Sequence, residues 1–208
     1  MEDSGLEYRI LQIGDMEDTM EILLRNFTSR QPVSSHLNVD KTDWKTHFTP
    51  VLESAISKAV SIGVFDKSVL CGVAINVLSQ GSQQGPSPRK PTPIKIRQAL
   101  QLLQSMSQNF KEKNFLEIFI ITVEQDYTKR GIASRLCVKS EEIARKLGLS
   151  CVSITCTSAY MQRAANRLGY QTMEKTFYKD YIDPITSEKI FETMPEPHEC
   201  CLFMIKRL

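Results

Sequence analysis

The chain of 208 residues has almost no excess of charge, with 26 basic and 24 acidic side chains and a net charge of +2. That balance excludes a global pull toward nucleic acid or an anionic membrane. There are only three histidines, and the six cysteines form no C-x-x-C pair, so no zinc-ligand spacing is present and no metal is expected. No apolar run approaches the ~18 residues that a membrane span needs. The opening "MEDSGLEYRI" is acidic and lacks the apolar core of a signal peptide. No internal repeat occurs, and neither G-x-G-x-x-G nor a P-loop is present, which argues against dinucleotide-binding and P-loop folds. The basic residues at 89–97 are flanked by prolines without interleaved aromatics, so no nucleic-acid surface is expected. What remains is ordinary globular composition, 41% hydrophobic and 24% charged, long enough for a sizeable core. Cys71, Cys137, Cys151, Cys156, Cys200 and Cys201 mostly sit in apolar runs and read as buried free thiols of a cytoplasmic protein.

Hydrophobic periodicity orders the chain. "EYRILQI" (7–13) reads as a strand, and Asp15 as the cap of a helix with Met16, Met20, Leu24 and Phe27 at helical spacing. "RQPVSSHLN" ends that helix at Pro32, and a second helix is expected near "TPVLESAISKAV", with Pro50 in its first turn. "AVSIGVFD" and "VLCGVAINVL", joined by Asp66-Lys67-Ser68, read as a hairpin. Residues 79–93, rich in Gly, Pro, Ser and Gln, read as a flexible loop insertion. Ile96, Ala99, Leu100, Leu103, Met106 and Phe110 then mark one face of a long helix. "FLEIFIITV" (115–123) is an apolar central strand, followed by a helix with Ile132, Leu136, Ile143 and Leu147 inward and Gly148 at its end. A buried strand "SCVSITCT", a short helix near 159–168 and two late strands complete the order. The expectation is α/β, one domain over 1–208, with a central mixed β-sheet flanked by helices.

The chemistry is concentrated in the turn "TKRGIAS" between the central strand and its helix. A helix start offers free N–H groups and the positive end of the dipole, which attract anions. Gly131 lets a phosphate approach the backbone, and Lys129 and Arg130 add charge, so the turn is suited to a pyrophosphate.

The block "EIFIITVEQDYTKRGIASRLCVKSEEIARKLG" resembles the acetyl-CoA-binding core of the GCN5-related N-acetyltransferase (GNAT) superfamily, whose turn has the form R/Q-x-x-G-x-G/A. Thr128 departs from that pattern, whereas Gly131 and Ala133 keep it. "VSITCTSAYMQRAANRLGY" is similar to the next strand and helix, and "PHECCLFMIKRL" resembles insect arylalkylamine N-acetyltransferases. The resemblance is strongest over 116–170 and implies a GNAT-like domain using acetyl-CoA as co-substrate. It implies that the pantetheine arm pairs with backbone at Ile121, Thr122 and Val123, and that the pyrophosphate lies on Lys129, Arg130, Gly131, Ile132, Ala133 and Ser134. The implied reaction is direct acetyl transfer to the primary amine of a small molecule, with a monomer expected.

An ammonium cannot attack a thioester, so a base is needed. Glu117, on the apolar central strand, is the leading candidate, because burial raises a carboxyl pKa, and the histone-acetyltransferase branch has a glutamate in the same relation to the cofactor strand. The insect branch instead carries Glu-Pro after its first helix, where this chain has Gln31-Pro32. Gln31 is not a base, but its amide can orient water or substrate. Of the hydroxyl positions that branch uses, Thr157 keeps one and Met161 does not. The superfamily's helix tyrosine is matched by Ala165, with Tyr160 nearby. Phe27, Pro32, Trp44, Phe48, Phe177 and Tyr178 are candidates for an apolar acceptor pocket, and Asp40 and Asp43 for a second cation. The sequence leaves open an arylalkylamine (tryptamine, dopamine, tyramine), agmatine or a polyamine, a peptide lysine, and a catalytically weak acetyl-CoA-binding protein.

Overall fold

A computed structural model of the chain describes residues 5–80 and 92–208. Strand β1 (Leu6–Ile10) leads into helices α1 (Met16–Arg30), α2 (Pro32–His36) and α3 (Lys41–Ser57). The hairpin β2 (Ile62–Asp66) and β3 (Val69–Gln80) follows, then α4 (Ile94–Ser107). The second half is β4 (Asn114–Val123), α5 (Ile132–Lys146), β5 (Cys151–Cys156), α6 (Ala159–Arg167), β6 (Gln171–Phe177) and β7 (Cys200–Arg207). Seven strands form one sheet in the order β1-β2-β3-β4-β5-β7-β6, antiparallel except for β4 beside β5. The mixed sheet flanked by helices is as expected. The parallel pair needs a crossover, and α5 supplies it.

Side-chain alternation divides the core into two layers. One face packs Val73, Ile75, Ile120, Phe203 and Ile205 against α1, α3 and α4. The other packs Leu116, Ile118, Val152, Ile154 and Met204 with Cys137 and Ala144 of α5, extended by Ile62, Val64 and Ala74 beneath Ile132 and Leu136. Two polar ties fix α5 on the sheet. Asn76 Nδ2 donates to Ser140 Oγ at 2.9 Å, and Lys206 Nζ pairs with the buried Glu141 at 2.7 Å. The N-terminus of α5 is thereby held at the end of β4.

Several expectations are corrected. Pro32 opens the short helix α2 as well as ending α1; a proline at the first helical position forfeits no bond there. Helix α3 begins at Lys41, capped by Asp40, whose carboxylate accepts from Thr42 N at 2.7 Å. Pro50 is therefore inside the helix, where apolar burial of Trp44, Phe48 and Leu52 outweighs its missing N–H. Asp15 makes no side-chain cap on α1; its oxygens take both ends of Arg9 at 2.7 Å. Leu147 is 50% exposed, since the buried stripe of α5 runs Ile132, Leu136, Ser140, Ala144 and the helix ends at Lys146. Gly148, at φ 67°, follows that end. The expected loop over 79–93 falls, for 81–91, outside the described residues.

Candidate active site

The site is made by strands that part. β4 and β5 pair in register only from Phe115/Cys151 to Ile118/Ile154, yet β4 runs on to Val123. The cause lies on the other side of β4. Ile75 is opposite Ile120 and Asn76 opposite Ile118, so Phe119 is an extra residue, a bulge that bends the strand. Beyond it the β5-facing edge of β4 has no strand partner among the described residues.

Register shows which groups that edge presents. Glu124 N donates to Cys71 O at 2.8 Å, so Cys71 and Glu124 form a hydrogen-bonded pair. Antiparallel pairs alternate, so Gly72/Val123 and Ala74/Ile121 are non-hydrogen-bonded pairs. Ile121 and Val123 therefore turn their N–H and C=O to the open edge. Thr122 is turned to Val73, and its backbone is not offered to a ligand. That geometry sets Thr122 apart from the other two residues expected to pair with the pantetheine arm.

Past β4 the chain makes a tight turn. Tyr127 OH donates to Asp66 at 2.8 Å, tying the turn to the hairpin. Thr128 Oγ1 donates to Gln125 O at 2.8 Å, so its hydroxyl is engaged within the turn itself. Lys129 and Gly131 take φ of 63° and 77°, the left-handed conformation that glycine adopts most readily. A side chain at Gly131 would meet nothing within 4 Å, so the space above the turn is open. Helix α5 starts at Ile132, and its first-turn N–H groups, including those of Ala133 and Ser134, lack intrahelical acceptors. Ile132 is buried, so it can offer only backbone there. The Arg130 guanidinium lies over the Tyr127 ring at 5.1 Å.

The junction of α1 and α2 reaches to both arms of the cleft. Arg30 Nη1 donates to Val123 O at 3.0 Å and to Asn26 Oδ1 at 2.9 Å. The next residue, Gln31, donates from Nε2 to Thr157 Oγ1 at 2.9 Å, just past the end of β5. Gln31 Oε1 accepts from Ser34 N, which fixes the amide orientation. Thr157 is buried, and its carbonyl accepts from Tyr178 OH at 2.7 Å. Having accepted from Gln31, the Thr157 hydroxyl keeps its own proton to donate. Gln31 and Thr157, two candidates 126 residues apart, are thus brought into contact.

Glu117 lies one residue before the strands part. Leu116 and Ile118 pack under α5, so Glu117 points to the opposite face, that of α1, α3 and α4. Its residue surface is half-buried, and burial pushes its pKa above the ordinary 4.5, with no other group contributing. Its partner in register, Ser153, is fully buried, and among the described residues its hydroxyl has no hydrogen-bond partner. Two unpaired polar groups therefore lie side by side on an otherwise apolar floor.

The other candidates are placed as follows. Trp44 and Phe48 are buried and stacked at 4.6 Å, with Phe27 edge-on to both, so the three are core. Pro32 is buried at the start of α2. Phe177 is 39% exposed, with Lys175 Nζ at 4.1 Å over its ring. Tyr160 is 63% exposed beside His198, and Ala165 is buried in the core, so α6 sends no tyrosine into the cleft. Asp40 is engaged as a helix cap. Sequence reasoning assigned no role to Arg30 or to the Tyr178 hydroxyl. The only signal for Arg30 was its place beside Gln31, where the insect branch has an acid.

Residues 94–170 match the family model described as acetyltransferase (GNAT) family. Solved structures share the fold over nearly the whole chain. Arylalkylamine N-acetyltransferase 2 from Aedes aegypti is 23% identical, with 97% of this chain and 98% of that one covered and a TM-score of 0.81. Drosophila melanogaster polyamine N-acetyltransferase, an enzyme that forms N-acetylagmatine, is 21% identical, with 98% and 100% covered and a TM-score of 0.77. The C-terminal condensation domain of Ebony, in complex with beta-alanyl-dopamine, is 16% identical, with 98% and 99% covered and a TM-score of 0.83. The parted strands and the glycine turn both lie within the segment that matches this family model. Residues 94–170 thus resemble the GNAT acetyltransferases, and the whole chain shares its fold with solved insect arylalkylamine N-acetyltransferases.

Proposed function

We infer that the protein moves the acetyl group of acetyl-CoA directly to the primary amine of a small molecule of the arylalkylamine class. The observation that carries this reading is the open edge of β4, with Ile121 and Val123 facing it, above an unpaired Glu117. The residues fit the co-substrate. The N–H and C=O groups of Ile121 and Val123 suit the amides of a pantetheine arm. Lys129, Arg130, Gly131 and the first-turn N–H groups through Ser134 suit a pyrophosphate. When bound, acetyl-CoA supplies a thioester, which an amine can attack once it has lost its proton.

The chain's own groups divide the work. Glu117, with its raised pKa, accepts the ammonium proton directly or through water. Thr157, held by Gln31, donates a hydrogen bond where negative charge develops. Gln31 is a positioning residue, because an amide takes no proton near neutral pH. Similarity to the arylalkylamine enzymes supports an aromatic amine, and similarity to the polyamine enzyme keeps agmatine as the second reading. Against agmatine, Asp40 is committed to capping α3. The six buried, free thiols support a reducing, cytoplasmic setting.

The test is CoA release with tryptamine, tyramine, dopamine, agmatine, putrescine and spermidine. Turnover of the aromatic amines is expected. Turnover of agmatine alone would favour the second reading. Binding of acetyl-CoA with no turnover of any amine or peptide would mark a silent binding module.

A further inference from the structure

The mouth of the cleft holds an uncompensated cation. Arg30 closes the last turn of α1 and is exposed. Both of its hydrogen bonds go to neutral acceptors, Val123 O and Asn26 Oδ1, and among the described residues no carboxylate is paired with it. Its neighbours do not neutralise it. Glu124 is already paired with Arg25 at 3.1 Å, Gln31 is neutral, and Glu117 lies back on the floor. The C-terminal end of a helix favours a cation, but that alone would direct Arg30 to the carbonyls of α1. Instead the guanidinium crosses to β4, onto a carbonyl that the register leaves facing the open edge.

Resting on the acetyltransferase reading, we propose that the acceptor is an amine that also carries a carboxylate, in the manner of an aromatic amino acid, and that Arg30 is the group that recognises the acid. A simple amine approaching the Gln31–Thr157 contact as an ammonium meets a like charge at this mouth. The same amine bearing a carboxylate meets a planar fork of donors that pairs with both carboxylate oxygens. A strand-like ligand on the open edge takes over the Val123 carbonyl and frees the guanidinium for this pairing. The other N–H groups of Arg30 are then available, since among the described residues only Nη1 is engaged.

The experiment compares paired amines differing only in the carboxylate, tryptamine with tryptophan and tyramine with tyrosine, on the intact protein. Wild type, Arg30→Ala, Arg30→Lys and Arg30→Glu are assayed for kcat/KM toward each amine and for the KM of acetyl-CoA. Wild type is expected to prefer the acid-bearing member. Arg30→Ala should lower kcat/KM for that member about 10- to 100-fold more than for its decarboxylated partner, the scale of one charge-assisted pair. Arg30→Lys should rescue in part, and Arg30→Glu should reverse the preference. Equal losses for both members, or a rise confined to the acetyl-CoA KM, would overturn the proposal; the second outcome would make Arg30 a group that serves the co-substrate phosphates.

Calorimetry separates this idea from the reading beneath it. Absence of CoA binding to wild type would defeat the acetyltransferase reading, and this proposal with it. CoA binding without binding of N-acetyltryptophan to the CoA complex, or with N-acetyltryptamine bound equally well, would defeat this proposal alone.

Discussion

Substitution of Glu117 by Gln should reduce activity and not reduce stability. The replacement keeps shape and removes only the charge. No hydrogen bond or ion pair is lost, because burial is the sole influence on this carboxyl. Loss of a positioned base lowers kcat by about 10²- to 10⁴-fold, or roughly 3–5 kcal/mol of transition-state stabilisation. The stability effect has the opposite sign. With its folded pKa raised above 4.5, Glu117 holds its proton in the folded state to higher pH than in the unfolded chain. Stability therefore falls as pH rises from 4.5 through the folded pKa and stays lowered above it. The Gln variant escapes that loss, so its Tm should exceed that of wild type at pH 8 and converge with it near pH 4. Each 1 kcal/mol recovered moves Tm by about 2–4 °C in a chain of this size. The assays are CoA release from pH 5 to 9 and thermal denaturation over the same range. Wild-type kcat/KM should fall on the acid side as Glu117 is protonated, and the variant should lack that limb. Undiminished turnover at every pH would refute the base assignment. A lower Tm for the variant at pH 8 would show that the carboxylate is paired after all.

Three further outcomes are expected. Gln31→Leu and Thr157→Val each break the 2.9 Å contact, so their effects on kcat should be non-additive, with a coupling of about 1 kcal/mol in a double-mutant cycle; strict additivity would separate the two residues. At Gly131, where φ is 77°, Asn and Asp strain the backbone alike but differ in charge, so acetyl-CoA should bind Gly131→Asp about 10- to 100-fold more weakly than Gly131→Asn by calorimetry; equal affinities would remove the phosphate from this turn. Pro50→Ala, at an exposed interior position of α3, should restore a hydrogen bond to the Thr46 carbonyl and raise stability by about 1–3 kcal/mol in denaturant unfolding; a loss would mean that α3 is kinked to fit its neighbours.

Much of the fold can be read from local pattern. Lys67-Ser68 turns the hairpin between two β-type runs, although Lys67 takes φ 57°, a conformation glycine favours, and Gly131 and Gly148 take left-handed conformations at the two ends of α5. The apolar run around Glu117 marks a central strand, and all six cysteines are buried within such runs or beside them. Locally, a proline signals a helix start, but burial of Trp44 and Phe48 on the preceding turns extends α3 ahead of Pro50.

The sequence by itself determined the order of elements apart from the short helix α2, together with the glycine turn at the head of α5 and a carboxylate on an apolar strand. These follow from periodicity, backbone conformation and hydrophobicity, which act over a few residues. Only the tertiary structure decided that β4 bulges at Phe119 and parts from β5, because a bulge exists only relative to a partner strand. It alone turned Ile121 and Val123 to the open edge and Thr122 away from it, since register belongs to a pair of strands. And it alone joined Arg30 to Val123 across 93 residues and Gln31 to Thr157 across 126. Contacts at such separations depend on how the whole sheet twists and how α1 settles upon it, and no local pattern encodes that.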